Sequence, residues 1–280
     1  MPYLSFPDGF RLYYEVHRPS GTDGSDSGAS TAAVLLAHGA GGNTGSWWQQ
    51  LPVFAQHHTV IAFDHRAFGR SPDIEDGPGR SAFADDAIAL LEHLGVQRVH
   101  IVAHSMGGRT AMGFLRRAPE RVASLVCSGT NAGCVDERLH AKRAELCAAG
   151  AFGGSLRSRA LAPDFATREP VLAARYDAVR ANNPPRSADF LAPRPDAAPL
   201  GSTAQRLRDS GLPLLWIVGE LDRIVPPALA RISHALTPGS RYSEVAGAGH
   251  SAYFERPEAW NAAVLGFIAD VESTAAEVGQ

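Results

Sequence analysis

The stretch Val99-His100-Ile101-Val102-Ala103-His104-Ser105-Met106-Gly107-Gly108 decides the fold. Its first five residues form a short, nearly continuous apolar run, the pattern of a strand covered on both faces. Beyond Ser105, from 106 to 117, apolar residues return at helical spacing, so a strand feeds straight into a helix. A nucleophilic serine at such a junction needs small neighbours, because the turn is strained and strand and helix approach closely; the usual pattern is Gly-x-Ser-x-Gly. Here it reads Ala103-His104-Ser105-Met106-Gly107, with alanine at the first small position. The helix N-terminus would aim free N–H groups and a partial positive charge at an oxyanion formed there.

Outward from this unit, further apolar runs at 33–37, 59–63, 124–127 and 214–218 alternate with helical patterns at 47–56, 81–94 and 227–236. Alternation of buried strands with helices predicts an α/β fold with a mostly parallel, doubly wound sheet. A strand at 241–245 and a helix at 257–271 complete it. At the N-terminus, 3–6 and 10–18 predict an antiparallel hairpin around Pro7-Asp8-Gly9, followed by an exposed, mobile Gly/Ser/Asp-rich loop at 21–31. The alternation fails between 131 and 208, where short helical patches are broken by Gly153-Gly154 and Pro184-Pro185. This predicts a helical cap at 131–208 inserted into a core formed by 1–130 and 209–280.

A serine hydroxyl needs a base, and the base needs a third group to fix its tautomer. His250 lies in the Gly-rich loop Gly247-Ala248-Gly249-His250-Ser251 after the last strand, and Asp222 lies just past the run at 214–218. Catalytic groups of open α/β sheets collect at that carboxyl edge, and the chain order Ser, Asp, His is the one expected of a nucleophile-elbow enzyme. Glu220 is the competing acid. A second Gly-rich segment, His38-Gly39-Ala40-Gly41-Gly42, follows the first buried strand. Its N–H at Ala40 is expected to join that of Met106 in an oxyanion hole. A dinucleotide loop is the alternative, but Gly-x-Gly-x-x-Gly fails because Gly39-Ala40-Gly41-Gly42-Asn43 is followed by Thr44. The remaining histidines, including His57, His58, His93 and His140, show no ligand spacing, so neither metal nor cofactor is expected.

Composition narrows the function classes. A chain of 280 residues, 45% hydrophobic, is long enough for one large core. The net charge of -3, with basic residues scattered among acidic ones, offers no footprint for nucleic acid. No apolar run approaches the ~18 residues of a membrane span, and no secretion signal is visible, so a cytoplasmic enzyme of a small-molecule substrate is expected, monomeric or homodimeric. Cys127, Cys134 and Cys147 cannot all pair and read as reduced packing residues.

Together these blocks, with Asp64-His65-Arg66-Ala67-Phe68-Gly69-Arg70-Ser71, resemble the α/β-hydrolase superfamily along almost the whole chain. The last block is similar to the family's Asp-x-Arg-Gly-x-Gly-x-Ser turn, a structural element, with Ala67 replacing the first glycine. The resemblance extends to the lid-bearing group of esterases, enol-lactonases, perhydrolases and C–C hydrolases. It implies hydrolysis of a small, largely apolar ester, thioester or lactone through Ser105, His250 and Asp222. C–C cleavage, a biosynthetic cyclase or lyase, and a non-catalytic binding protein are the alternatives, since fold alone does not decide function. The expected pocket has Gly39, Ala40, Met106 and Trp47 in its floor and Leu139, Leu146, Phe152 and Phe165 in its roof.

Overall fold

A computed structural model describes residues 2–20, 32–134, 136–186, 190 and 203–278. The loop expected at 21–31 lies outside the described residues, as do 187–189 and 191–202 of the segment expected to form the cap. Eight strands form one sheet: β1 (Tyr3–Ser5), β2 (Arg11–His17), β3 (Ala33–Ala37), β4 (Val60–Phe63), β5 (Val99–His104), β6 (Val122–Ser128), β7 (Leu214–Gly219) and β8 (Arg241–Val245). Among the described residues eleven α-helices accompany them: α1 (Leu51–Phe54), α2 (Phe83–His93), α3 (Gly107–Arg117), α4 (Glu137–Ala148), α5 (Leu156–Arg159), α6 (Phe165–Arg168), α7 (Pro170–Ala181), α8 (Thr203–Asp209), α9 (Pro227–Ala235), α10 (Ala252–Glu255) and α11 (Pro257–Val278).

The sheet order is β1-β2-β4-β3-β5-β6-β7-β8. The hairpin β1-β2 is antiparallel and joins the sheet through β2 against β4, while β4 to β8 and β3 are parallel. The order reverses at β3: the chain steps to β4 on one side, then crosses to β5 on the other. The carboxyl ends of β3 and β5 therefore border the crevice in which open α/β sheets hold ligands.

Alternate strand residues feed two separate cores. Leu35, Ala37, Ile101, Ala103, Leu125, Cys127 and Trp216 point to the layer of α2, α3 and α9. Val34, Leu36, Val102, Val126, Leu215 and Ile217 point to the layer of α1 and α11. Both faces are covered, which is why these strands read as continuous apolar runs rather than alternating ones. Burying this much apolar surface, at ~25 cal/mol per Å2, is what the long apolar runs contribute to stability.

The described helices between β6 and β7 pack on both sides of the sheet. Leu139 of α4 and Ala204 and Leu207 of α8 are buried in the α2/α3/α9 layer, whereas Ala160, Leu161, Phe165, Ala173 and Tyr176 pack on the other side of the sheet with α10 and α11. Among the described residues no helix is long and apolar enough to cross a membrane.

Candidate active site

Ser105 closes β5 and opens α3 with φ of 51°, a left-handed conformation that a non-glycine residue adopts at a cost of about 1–2 kcal/mol. Its N–H donates to Ser128 O of β6 at 2.9 Å, and its carbonyl accepts from Gly108 N at 3.0 Å, so the turn is held from both sides. Gly107 is obligatory here: a Cβ would drive into the carbonyl of Ala37 at the end of β3. Ala103 is fully buried in the core, so the methyl that departs from the usual glycine has room.

On the far side of the crevice His250 Nδ1–H donates to Asp222 Oδ2 at 2.8 Å. That bond leaves Nε2 as the basic nitrogen. Asp222 Oδ1 accepts the N–H groups of Ile224 at 2.7 Å and Val225 at 2.9 Å, which fixes the carboxylate before the imidazole arrives. Gly129 (φ 55°) lies beneath the pair, and a Cβ there would come within 3.1 Å of the His250 ring and 3.3 Å of Asp222 Oδ2. Glu220 points elsewhere, accepting from Gly247 N at 2.8 Å to brace the turn that leads to His250. No hydrogen bond joins Ser105 to His250 in this structure; such contacts are often long in unliganded enzymes and tighten around substrate.

The glycine loop after β3 is anchored by histidine chemistry. His38 Nδ1–H donates to Gly39 O at 2.8 Å and its Nε2 accepts from His65 N at 2.9 Å, so one tautomer is required. Burial pushes the His38 pKa down to about 4, keeping the ring neutral. His104, beside Ser105, donates from Nδ1 to Ser128 O at 3.1 Å and packs 4.8 Å from the His250 ring. Burial, then the neighbouring His250, holds it well below the usual imidazole range. Among the described residues no acceptor takes the backbone N–H of Ala40 or of Met106. Asp64 in the neighbouring turn is buried and accepts Thr44 N at 2.6 Å and Arg70 N at 2.7 Å, a purely architectural role.

A cavity of about 270 Å3 lies over Ser105, with Gly39, Ala40, Met106, His104 and His250 in its wall. Its cover comes from Leu156 and Ala160 around α5 and from Tyr176 and Arg180 of α7, with Ile224 and Tyr253 at the side and Arg109 at the mouth. The expected lining residues Trp47, Leu139, Leu146, Phe152 and Phe165 are not in this wall. Trp47 is fully buried one layer behind, its ring 4.7 Å from that of Tyr253. Phe165 is fully buried against Phe254. Leu139 and Leu146 of α4 pack on the α2/α3/α9 side, and Phe152 sits under Arg143 and Arg159 in a separate surface groove. Tyr176 and Arg180 line the cavity instead: large apolar side chains, the signal the sequence offers, are the ones a core buries.

The cover is tied to the His250 loop. Ser251 N donates to Ala160 O at 3.0 Å, Tyr176 Oη meets Ser251 Oγ at 2.9 Å, and the buried Glu255 accepts Ala162 N at 2.9 Å and Gly249 N at 3.0 Å. Burial raises the Glu255 pKa to about 7 despite those two N–H donors. At its other end α7 is tied to the glycine loop: Asn183 Nδ2 donates to Gly41 O at 3.0 Å and Asn43 Nδ2 to Val179 O at 2.8 Å.

Comparison with known proteins agrees with this architecture. Residues 32–257 match the family model described as alpha/beta hydrolase fold. A putative non-heme bromoperoxidase, BpoC, of Mycobacterium tuberculosis is 32% identical over 89% of this chain and 97% of its own. A putative carbamate hydrolase, RutD, of Azorhizobium caulinodans is 28% identical over 97% of this chain and 100% of its own. Among solved structures, a thermophilic esterase from Thermogutta terrifontis superposes with a TM-score of 0.75 at 24% identity, covering 97% of both chains. The enol-lactonase of Burkholderia xenovorans gives 0.71 at 23% identity, over 96% of this chain and 100% of that one. The strand order, the turn at Ser105 and these matches lead to one conclusion: the chain belongs to the α/β-hydrolase fold family, as a hydrolase-type enzyme.

Proposed function

We propose that the enzyme hydrolyses a small ester or lactone through an acyl-enzyme on Ser105. Ser105 Oγ attacks the carbonyl while His250 Nε2 takes its proton. The oxygen of the tetrahedral intermediate accepts from the backbone N–H groups of Ala40 and Met106, which as main-chain donors cost little reorganisation. Asp222 holds Nδ1–H and balances the charge of the imidazolium. The proton then passes to the departing alkoxide, and a water activated by His250 releases the acid. The same apparatus serves a carbamate carbonyl, the substrate class in the name of one relative.

The observation that carries this reading is the buried 2.8 Å bond between His250 and Asp222 in the wall that Ser105 shares, at a turn with φ of 51°. The helices α5 and α7 are read as the lid of this site, because Leu156, Ala160, Tyr176 and Arg180 close the cavity from the sequence between β6 and β7. A fluorophosphonate probe should label one serine, mapped to position 105, and Ser105→Ala should abolish the label. Labelling that survives that substitution would refute the assignment.

A further inference from the structure

Among the described residues, two arginines line the cavity, Arg180 and Arg109, and no carboxylate does. Arg180 thus joins the apolar Leu156, Ala160 and Tyr176 in a cover expected to be apolar. Arg180, half-buried at the end of α7, lays its guanidinium across the glycine loop: a Cβ on Gly41 would fall on Nη1 and lie 2.9 Å from Cζ. Among the described residues, no carboxylate comes within ion-pairing distance of Arg180 or Arg109. A second guanidinium, Arg186, crowds the same loop, donating to Ala67 O at 2.9 Å and Ala40 O at 3.4 Å while stacked 3.9 Å above Phe68. Arg186 is satisfied by those carbonyls; Arg180 lines the cavity beside Tyr176, its guanidinium 6.0 Å from that ring, with Asp177 of the same helix as its neighbouring anion. Holding two guanidinium groups close together in a half-buried place is unfavourable until an anion is bound between or beside them.

Resting on the hydrolase reading above, we infer that the cavity selects an anionic substrate: a short acyl group or lactone carrying a carboxylate, held by the fork of Arg180 with Arg109 at the entrance. Gly41 follows Ala40 directly, so the anion must sit close to the reacting carbonyl, and a cavity of about 270 Å3 leaves room for only a short spacer. Arg180 serves this purpose better than lysine would, because a planar pair of N–H donors matches both carboxylate oxygens. Gly41 is then needed to let the guanidinium lie against the loop. Tyr176, one turn earlier on α7 and bonded to Ser251, fixes the helix that carries Arg180.

The test compares kcat/KM on the p-nitrophenyl monoesters of succinate and glutarate with that on the neutral butyrate ester. The wild-type enzyme should prefer a charged ester, and Arg180→Gln should lower the charged-to-neutral ratio roughly 10- to 100-fold, chiefly through KM. Arg180→Lys should restore part of that ratio. Gly41→Ala, which displaces the guanidinium without removing its charge, should reproduce the loss. Competitive inhibition of the wild type by free glutarate, weakened in Arg180→Gln, gives a readout that needs no turnover. A wild-type ratio below one, or a ratio unchanged in Arg180→Gln, would overturn the inference. So would equal losses on both esters, which would make Arg180 an oxyanion stabiliser instead. Failure of the hydrolase reading would look different: no serine would be labelled by the fluorophosphonate in any of these proteins.

Discussion

Asp222 and Glu220 lie two residues apart beyond the same strand, and the imidazole meets only Asp222. Neutralising Asp222 to Asn leaves the side chain's shape but offers the wrong partner to Nδ1–H, so kcat should fall by ~10^4, as for a triad carboxylate generally. Glu220→Gln should cost less than about tenfold, since it loosens only the Gly247 turn; steady-state kinetics on one neutral ester decides between them, and larger damage from Glu220→Gln would reverse the roles. Ala67 supplies a second test at this scale. It holds φ of 67° where the family turn has glycine, with its N–H bonded to Ser71 O at 2.8 Å. Relief of left-handed strain, less the added freedom of the unfolded chain, should make Ala67→Gly more stable by up to about 1 kcal/mol in urea unfolding. A less stable variant would mean the Ala67 methyl contributes more by packing than it costs in strain. Spacing in the sequence pointed to Ser105, to His250 and to an acid past β7, because each follows a strand end. It favours Asp222 over Glu220 because Asp222 lies further past the strand, and the side of the Gly219 turn that faces the crevice is what gives Asp222, not Glu220, the bond to His250.

At the scale of elements, α4 through α8 were expected to behave as a single cap because all of them interrupt the strand-helix alternation. Interruption of a pattern reports an insertion and says nothing of which sheet face receives each helix. α4 and α8 cover one face, α6 packs against α10, and among the described residues of this segment it is the region of α5 and α7 that reaches over Ser105. Leu139 and Phe165 were chosen as roof residues for their size, but large apolar side chains gain most from complete burial and go to the core. The cavity wall keeps those with a polar tip, such as Tyr176 and Arg180. The join between this cover and the His250 loop is Glu255, whose pKa near 7 gives it a pH signature. The folded protein retains a proton that the unfolded chain releases near 4.5, so the stabilisation is full below pH 4.5 and is lost as pH rises through 7. Glu255→Gln offers one acceptor to two N–H groups and should be less stable throughout. Its deficit should nevertheless shrink by roughly 2–3 kcal/mol between pH 5 and pH 8, because the amide does not ionise. Chemical denaturation at the two pH values measures this, and a deficit independent of pH would show that Glu255 is not protonated in the native state.

At the scale of the whole molecule, the doubly wound sheet was legible because strands covered on both faces carry near-continuous apolar runs, unbroken in β3, β4 and β7. The histidines were not, since a histidine in an apolar run reads the same whether buried or exposed. The structure buries five of them with lowered pKa: His38 and His100 fall to about 4, His65 and His104 lie well below the ordinary value, and His58 is lowered as well. Burial is the first cause in each. As pH falls below 6.5 the unfolded chain takes up these protons and the native protein does not, so stability is lost from pH 6.5 downward. For His38 and His100, each worth about 3 kcal/mol by pH 4, the combined loss rivals the 5–15 kcal/mol that a domain usually has. Glu255, Glu272, Asp64 and Asp86, each raised by burial, work in the opposite direction, one proton apiece against five imidazoles. The urea midpoint should therefore drop steeply between pH 6.5 and pH 5, with several protons bound on unfolding, and the protein should denature before pH 4. Imidazole NMR at pH 5.5 should still find His38 and His100 neutral in the folded state. A midpoint that is flat or rising toward pH 5 would mean that the buried histidines are already charged, and that the tautomer by which His38 holds the glycine loop, with Nε2 accepting from His65, is not the one present.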